Sequence, residues 1–92
     1  MDVLDELYRV LEDRKQHPRP ESYTARLLAQ GQTEILKKIG EEAIEVLLAA
    51  QYQDEQRLVE EVADLTYHVL VLLVARGIPL ERIAQELERR RR

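Results

Sequence analysis

Apolar residues recur at steps of three and four along most of this chain, which is the spacing that lines up one face of an α-helix. No segment shows the two-residue alternation of a half-buried strand. The pattern predicts helices over about residues 2–15, 22–30, 34–52 and 55–76, and a final amphipathic helix with Leu80, Ile83, Ala84 and Leu87 on one face. Because the connections are short, the expected all-α fold is an antiparallel bundle of about four to five helices.

Local signals mark the ends of the predicted helices. Residues that commonly occupy the N-cap position precede three of them: Ser22, Thr33 and Asp54. Glycine, which often ends a helix in the left-handed conformation, follows two of them at Gly31 and Gly77. Pro18 and Pro20 disfavour helical geometry at the residues before them, so residues 16–21 are expected to form a loop.

The length of the chain and one apolar segment predict self-association. The chain has 92 residues, which suits one domain over residues 1–92 and leaves a thin core. Residues 69–74 read Val-Leu-Val-Leu-Leu-Val and are apolar on every side of a helix. Such a segment is normally buried all round, which one small bundle cannot easily achieve. We therefore expect a homo-oligomer in which a second subunit covers part of this helix, with a dimer preferred over larger assemblies.

The composition of the chain limits the kinds of partner and the cellular compartment that we expect. The formal net charge of −4 argues against nucleic-acid binding, which normally needs a basic face, and the basic run at residues 89–92 is interpreted as a solvated tail. The chain has no Cys, which excludes a disulfide framework and a thiolate metal site. Because the sequence has no apolar leader and no membrane-length apolar segment, we expect a cytoplasmic protein with no membrane partner.

Acidic residues form a stripe on each of the two long predicted helices. At about 100° per residue, Lys38, Glu42 and Glu45 fall within about 60° of one another on the first helix, with Glu41 at the edge. On the second helix, one line carries four residues: Arg57, Glu61, Asp64 and His68. Apolar residues border both stripes, so we expect the stripes to face each other across a sheltered groove.

A hard divalent cation explains a surplus of carboxylates in a groove. Mg²⁺ prefers oxygen ligands and keeps several waters, so carboxylates from two helices together with substrate phosphates suit it, and Mn²⁺ is a substitute. Zinc sites favour Cys or His, and ferritin-like di-iron bundles use Glu-x-x-His pairs, which this sequence lacks. The competing interpretation is an ordinary solvated face, since Glu-rich helices are common in a chain with 35% charged residues.

The acidic residues have the form Glu-Glu-x-x-Glu at Glu41, Glu42 and Glu45, followed after fifteen intervening residues by Glu61-x-x-Asp64. This pattern resembles the metal-binding signature of the MazG-like all-α nucleotide pyrophosphohydrolases. Within that superfamily, three segments resemble the phosphoribosyl-ATP pyrophosphatase family: residues 22–28 (Ser-Tyr-Thr-Ala-Arg-Leu-Leu), 37–43 (Lys-Lys-Ile-Gly-Glu-Glu-Ala) and 64–68 (Asp-Leu-Thr-Tyr-His).

The resemblance implies an enzyme that hydrolyses 1-(5-phosphoribosyl)-ATP to 1-(5-phosphoribosyl)-AMP and pyrophosphate, the second step of histidine biosynthesis. Water would attack the triphosphate with the help of Mg²⁺. The implied metal ligands are four carboxylates: Glu42, Glu45, Glu61 and Asp64. Glu42 and Glu45 also count as catalytic residues, and Glu41 either joins the ligands or orients the attacking water as general base.

Basic and polar residues around the stripes are the candidates for binding this small-molecule nucleotide substrate: Lys37, Lys38, Arg14, Lys15, Arg26, Ser22, Tyr23, Thr24 and His68. Lys37 and Lys38 precede the acidic cluster by one turn and suit the polyphosphate. A helix N-terminus at Ser22 favours anions through its backbone N–H groups. Three alternatives stay open, namely solvated surface positions for the Lys and Arg residues, plain helix capping by Ser22 and a structural role for His68.

Two other functions compete with this interpretation. A related MazG-like house-cleaning enzyme would remove non-standard or excess nucleoside triphosphates with the same metal site. From a different class, a non-catalytic helical dimerisation module would use its Glu-rich faces only for solubility.

Overall fold

Five helices make up the protein in a computed structural model that describes residues 2–91. They are α1 (Asp2–Gln16), α2 (Tyr23–Gln30), α3 (Gln32–Tyr52), α4 (Glu55–Arg76) and α5 (Leu80–Arg90). No strand occurs within residues 2–91, and the predicted all-α bundle is confirmed. None of the described helices combines the length and the apolar character needed to cross a lipid bilayer.

Two of the three N-caps form as predicted. The Ser22 hydroxyl accepts a hydrogen bond from the Ala25 amide at 3.1 Å, and the Asp54 carboxylate accepts one from the Arg57 amide at 2.9 Å. Each bond satisfies an amide that the first turn of a helix leaves unpaired. At the other end of α4, Gly77 takes the left-handed conformation with φ of 68°, as expected.

The third predicted cap, Thr33, is wrong. Helix α3 begins at Gln32, so Thr33 is already its second residue and Gly31 occupies the cap position. Gly31 alone joins α2 to α3, with φ of 100° and ψ of 175°. This combination is almost confined to glycine, because a Cβ atom strains the backbone there. The freedom of Gly31 therefore lets α3 begin at Gln32, two residues earlier than a Thr33 cap would allow.

The core fills one half of the hairpin that α3 and α4 form. Helix α2 packs against both long helices there, and α1 packs against α2 and α4. The largest side chains that are fully withdrawn from solvent are Leu11, Ile35, Val71 and Val74. The apolar segment at residues 69–74 lies in this core for the most part, although Val69 remains at the surface. The expectation that one bundle cannot bury this segment is therefore wrong, because the single chain covers most of it.

Two polar side chains fasten α1 to the carboxyl-terminal end of α4. The Tyr8 hydroxyl donates a hydrogen bond to the Ile78 carbonyl at 2.6 Å, and the Lys15 ammonium donates one to the Val74 carbonyl at 3.1 Å. The last carbonyls of a helix have no partner within the helix, and a cation there also interacts favourably with the helix dipole. Lys15 thus completes the end of α4.

The other half of the α3–α4 hairpin carries apolar side chains in contact with solvent. We call the following set the hairpin patch: Ile44, Leu47 and Leu48 on α3, and Val59 and Val62 on α4. Within the described residues, Ala49 is the only apolar side chain of residues 44–62 that is fully withdrawn from solvent. The hairpin patch is more apolar than a solvated helix face needs to be.

Helix α5 is the predicted final amphipathic helix, and it lies loosely on the rest of the chain. None of its described residues is buried, and Leu87 on its apolar face is largely exposed. Arg89 and Arg90 belong to its last turn and pair with Glu86. The basic segment predicted to be a solvated tail is therefore helical up to Arg90, while Arg92 lies outside the described residues.

We expect Gly31→Ala to destabilise the fold by about 1 to 3 kcal/mol, because alanine strains the backbone at this joint. A matched control is Gly40→Ala. Gly40 lies inside α3, a Cβ atom there would meet nothing within 4 Å, and alanine favours a helix interior by about 1 kcal/mol. Urea denaturation followed by circular dichroism measures both variants. A Gly31→Ala variant as stable as Gly40→Ala would contradict the argument.

Candidate active site

Three carboxylates from the two long helices converge midway along the α3–α4 hairpin. One oxygen each from Glu42 on α3 and from Glu61 and Asp64 on α4 lies within 4.8 Å of the other two. Glu61 and Asp64 are three residues apart, which puts them on one face of α4, and this face meets α3. The two acidic stripes predicted from the sequence therefore do face each other.

Glu61 is the member of the cluster that needs a positive partner most. Only 6% of its surface is exposed, and this burial raises the pKa of its carboxyl above the ordinary value. The negative charges of Glu45, Asp64 and Glu42 raise it further, whereas Arg57 opposes the shift. The Arg57 guanidinium donates a hydrogen bond to the Glu61 carboxylate at 2.6 Å.

The chemistry of this donor set fits a hard divalent cation. Three carboxylates supply oxygen ligands, and the partly exposed Glu42 and exposed Asp64 leave room on the solvent side for waters and phosphate oxygens. No Cys exists in the chain, and the ring nitrogens of His68 both have other partners, so a soft or nitrogen-rich metal site is not favoured. The residues present therefore suit Mg²⁺ or Mn²⁺.

The other two predicted acidic residues flank the cluster. Glu45 is exposed and is not among the three converging carboxylates, although its charge acts on Glu61. Glu41 is exposed and pairs with Lys38, the Nζ and Oε1 atoms being 3.4 Å apart. Their predicted roles as a metal ligand and as a general base stay predictions.

Lys38 is the predicted basic residue whose charge interacts with Glu42 of the cluster. Its pKa is raised, first by the Tyr23 phenol beside it and then by the interaction with Glu41, with a smaller contribution from Glu42. An ammonium group placed in this way can meet a phosphate that enters the groove. Lys37 is exposed on the neighbouring face of α3.

The first turn of α2 meets the middle of α4 through polar side chains. The Tyr23 hydroxyl lies 3.0 Å from Nε2 of His68, and the buried Thr24 hydroxyl is hydrogen-bonded to the Tyr67 hydroxyl. Ser22 caps the same helix. The two predicted stretches around Ser22 and His68 are therefore brought together beside the carboxylates.

The remaining basic candidates have partners elsewhere. Lys15 donates to the Val74 carbonyl, ten residues beyond Asp64 on α4 and thus about 15 Å along the helix. Arg14 pairs with its neighbour Asp13, and Arg26 donates to the carbonyl of Pro20. A role in substrate binding for these three residues stays a prediction.

Arg57 is the residue of this site that the sequence did not single out for a role. It belonged to the predicted stripe on the second long helix but not to the candidate site residues. The signal for its role was the four-residue spacing to Glu61, which favours an ion pair on a helix. Arg57 also pairs with Glu60, so one guanidinium holds two carboxylates of α4.

Comparison with known proteins places the chain in a family. A family model described as phosphoribosyl-ATP pyrophosphohydrolase matches residues 4–91. The chain belongs to this family. The family and the class of enzyme expected from the acidic signature and its neighbouring segments are thereby confirmed, which disfavours a non-catalytic dimerisation module.

Relatives from distant organisms agree with the family model. A phosphoribosyl-ATP pyrophosphatase of Clostridium botulinum is 49% identical over 97% of this chain and 81% of its own length. One from Methanocella arvoryzae is 48% identical over 99% of this chain and 98% of its own length. A histidine biosynthesis bifunctional protein HisIE of Gloeobacter violaceus is 53% identical over 99% of this chain, which corresponds to 41% of that longer protein.

The raised pKa of Glu61 leads to a testable link between pH and metal binding. Burial of the Glu61 carboxyl contributes to the free energy of unfolding when the group is protonated. This contribution is fully present below the ordinary pKa of a carboxyl and is lost as the pH rises through the raised pKa. A divalent cation needs the ionised cluster and opposes this loss. We therefore expect saturating Mg²⁺ to raise Tm by about 5 °C at about pH 8 and much less at about pH 5.

Thermal denaturation followed by circular dichroism measures this effect. The control is Glu61→Gln, which keeps the shape of the side chain and an oxygen for Arg57 but removes the titrating charge. In this variant we expect Mg²⁺ to change Tm little at either pH. An equal Mg²⁺ effect in the variant and the wild type at high pH would contradict the assignment.

Proposed function

We propose that this chain hydrolyses 1-(5-phosphoribosyl)-ATP to 1-(5-phosphoribosyl)-AMP and pyrophosphate, the second step of histidine biosynthesis, in the cytoplasm and with Mg²⁺ or Mn²⁺ as cofactor. The observation that carries the proposal is the convergence of Glu42, Glu61 and Asp64 in a chain whose family match spans residues 4–91. A bound divalent cation would neutralise phosphate charge and lower the pKa of a bound water.

Hydrolysis of a phosphoanhydride asks the protein mainly for positioning and for neutralisation of charge. Glu42, Glu61 and Asp64 would hold the cation, and the exposed Glu45 beside them would be a further ligand. Glu61 is fixed by Arg57, so the buried ligand keeps its orientation when the substrate enters. Glu41 is the group that orients the attacking water, because it is exposed next to the cluster and can exchange its partner Lys38 for water.

Positively charged side chains at the mouth of the groove bind the triphosphate. Lys38 lies beside the cluster and Lys37 is exposed one residue before it. Tyr23 supplies a polar group on the opposite wall, at the first turn of α2, where backbone N–H groups favour anions. Ser22 and Thr24 shape this turn through the cap and the bond to Tyr67.

Loss of one cluster carboxylate should abolish the reaction without unfolding the protein. We expect Glu42→Gln and Asp64→Asn each to lower Mg²⁺-dependent pyrophosphate release by about a hundredfold or more, because charge stabilisation at the reacting phosphate is lost. Glu55→Gln is the matched control, since Glu55 is an exposed carboxylate on α4 outside the cluster. Circular dichroism verifies that the helical content is unchanged, and full activity in both cluster variants would defeat the proposal.

The same assay separates the proposed substrate from that of a house-cleaning enzyme. Turnover of phosphoribosyl-ATP is compared with that of dCTP, dUTP and ITP under identical Mg²⁺ conditions. We expect a higher kcat/KM for phosphoribosyl-ATP. A preference for one of the free nucleoside triphosphates would agree with the proposed metal site but would contradict phosphoribosyl-ATP as the substrate.

We also propose that two copies of the chain associate through the hairpin patch. Large exposed apolar side chains concentrated on one part of a small protein commonly mark a subunit interface, and burying them adds the apolar area that a thin core lacks. A symmetric dimer brings the same patch of each copy into contact. Ile44 directly precedes Glu45 and Val62 directly follows Glu61 in the chain, so the second copy would also lie next to the groove.

Sedimentation velocity at about 10 μM tests this association. We expect the wild type to sediment as a dimer and Leu47→Glu to shift it toward monomer, because Leu47 is 68% exposed in the single chain and a charge there would be buried in the interface. Val3→Glu is the control, since Val3 is 70% exposed on α1, away from the hairpin patch. A monomeric wild type, or equal effects of both variants, would contradict the proposed interface.

A further inference from the structure

Arg57 holds two carboxylates of α4 with two different nitrogens of one guanidinium. Its Nη2 donates to Oε2 of Glu61 at 2.6 Å, and its Nη1 is paired with Oε1 of Glu60. The side-chain amide of Gln56 donates to the other oxygen of Glu60 at 3.2 Å, and the main-chain amide of Arg57 donates to the Asp54 cap. Because a guanidinium is planar and its N–H groups have fixed directions, these partners give it a fixed place at the start of α4.

The contact with Arg57 makes the two oxygens of Glu61 unequal. Oε2 accepts the charge-assisted hydrogen bond, whereas Oε1 accepts none from any residue within 2–91. Only 8% of the side chain is exposed, so the carboxylate cannot turn into solvent while the helices stay packed. Glu61 is therefore arranged to offer Oε1 to a cation and to keep Oε2 for the guanidinium.

The number of oxygens that a carboxylate offers distinguishes divalent cations. Ca²⁺ takes about six to eight oxygen ligands in variable geometry and often binds both oxygens of one carboxylate. Mg²⁺ is smaller, requires nearly octahedral geometry and keeps several waters, so one oxygen from each carboxylate is sufficient. A buried carboxylate with one oxygen engaged by arginine is thus a better ligand for Mg²⁺ than for Ca²⁺.

Lys38 also places a positive charge near the cluster, but it does not engage a ligand oxygen in this way. Its ammonium pairs with Oε1 of Glu41 at 3.4 Å, and Glu41 is not among the three converging carboxylates. Both Lys38 and Arg57 reduce the negative charge that attracts any divalent cation. Within the described part of the chain, only Arg57 also donates a hydrogen bond to a cluster carboxylate.

We propose that Arg57 determines the cation preference of the site: it occupies Oε2 of Glu61, so that this buried carboxylate binds a cation through one oxygen, which favours Mg²⁺ over Ca²⁺. The inference rests on the proposed function, because it requires that the carboxylate cluster binds a divalent cation. It also explains the pairing of Arg57 with Glu60, since this second contact keeps the guanidinium from leaving Glu61.

Competition between cations measures this preference without any substrate. Electron paramagnetic resonance of free Mn²⁺ gives the affinity of the protein for Mn²⁺, and displacement by Mg²⁺ or by Ca²⁺ gives a Kd for each ion. The decisive quantity is the Kd for Ca²⁺ divided by the Kd for Mg²⁺. We expect this ratio to be about tenfold lower in Arg57→Ala than in the wild type, because the variant frees Oε2 of Glu61 for Ca²⁺.

Two further variants separate the contact from the charge. Arg57→Gln removes the same charge but keeps an N–H donor one turn from Glu61, so we expect its ratio to stay within about twofold of the wild-type ratio. Lys38→Ala removes a positive charge near the cluster without freeing an oxygen of Glu61. In this variant we expect the Kd values for both cations to fall together and their ratio to stay unchanged. Circular dichroism verifies that all three variants keep their helical content.

The same preference should appear in the reaction. With the Mg²⁺ concentration held constant, we expect the Ca²⁺ concentration that halves pyrophosphate release to be about tenfold lower in Arg57→Ala than in the wild type. The physical reason is that Ca²⁺ displaces Mg²⁺ more readily when both oxygens of Glu61 can bind it. Equal inhibitory concentrations in the two proteins would overturn the inference.

The binding experiment distinguishes failure of this inference from failure of the metal site. A ratio in Arg57→Ala within about twofold of the wild-type ratio, or an equal fall of the ratio in Lys38→Ala, would overturn the role of Arg57 while the cluster still binds cations. Absence of Mn²⁺ binding to the wild type at millimolar concentration would contradict the metal site itself and the inference with it.

Discussion

Repulsion among carboxylates is the constraint on which the site depends. Glu42, Glu61 and Asp64 hold their oxygens within 4.8 Å of one another, and Glu61 is withdrawn from solvent. Such an arrangement would drive two isolated helices apart, because like charges that lose their water repel strongly. Here α3 and α4 cannot separate without exposing Ile35 and Val71, which pack on the same two helices. The apolar core therefore holds charges in an arrangement that a cation can satisfy.

Helix α2 shows how a short element can serve both the fold and the site. Gly31 joins it directly to α3, Ser22 caps it, and Leu27 anchors it in the core. Its first turn then carries Tyr23 to the groove, where the phenol meets His68 of α4 and lies beside Lys38 of α3. An eight-residue helix would be marginal alone, so these tertiary contacts supply its stability. They also fix one wall of the groove relative to the other.

Much of this structure follows from the sequence because local and tertiary signals agree. Helical periodicity fixed the elements, and Ser22 and Asp54 cap the helices that they precede. Thr33 does not cap α3. A favourable cap residue does not exclude an earlier start, and Gly31, two positions before it, occupies the cap position instead. The facing stripes were predictable from the angle per residue, but the angle cannot say how near each side chain comes. Glu45 remained outside the closest cluster because that depends on how α3 and α4 pack.

The polar contacts between helices could not be predicted from the sequence, for a related reason. Tyr23 and His68 are 45 residues apart, and Lys15 and Val74 are 59 apart. No periodicity connects such positions, because their meeting depends on how the helices cross. The sequence suggested that both tyrosine and histidine lie near the substrate, but it did not suggest that their side chains contact each other. Arg57 was overlooked since its pairing with Glu61 becomes important only when the glutamate is buried.

The placement of the core determines which part of the molecule opens locally. One half of the α3–α4 hairpin is packed beneath α1 and α2, while the half near residues 53–54 has little covering it within the described chain. Regions with few buried apolar contacts open locally at lower free energy than the core does. The carboxylates lie at the border between these regions. A ligand that bridges α3 and α4 there would raise the free energy of local opening and extend the cooperatively folded part of the hairpin toward residues 53–54.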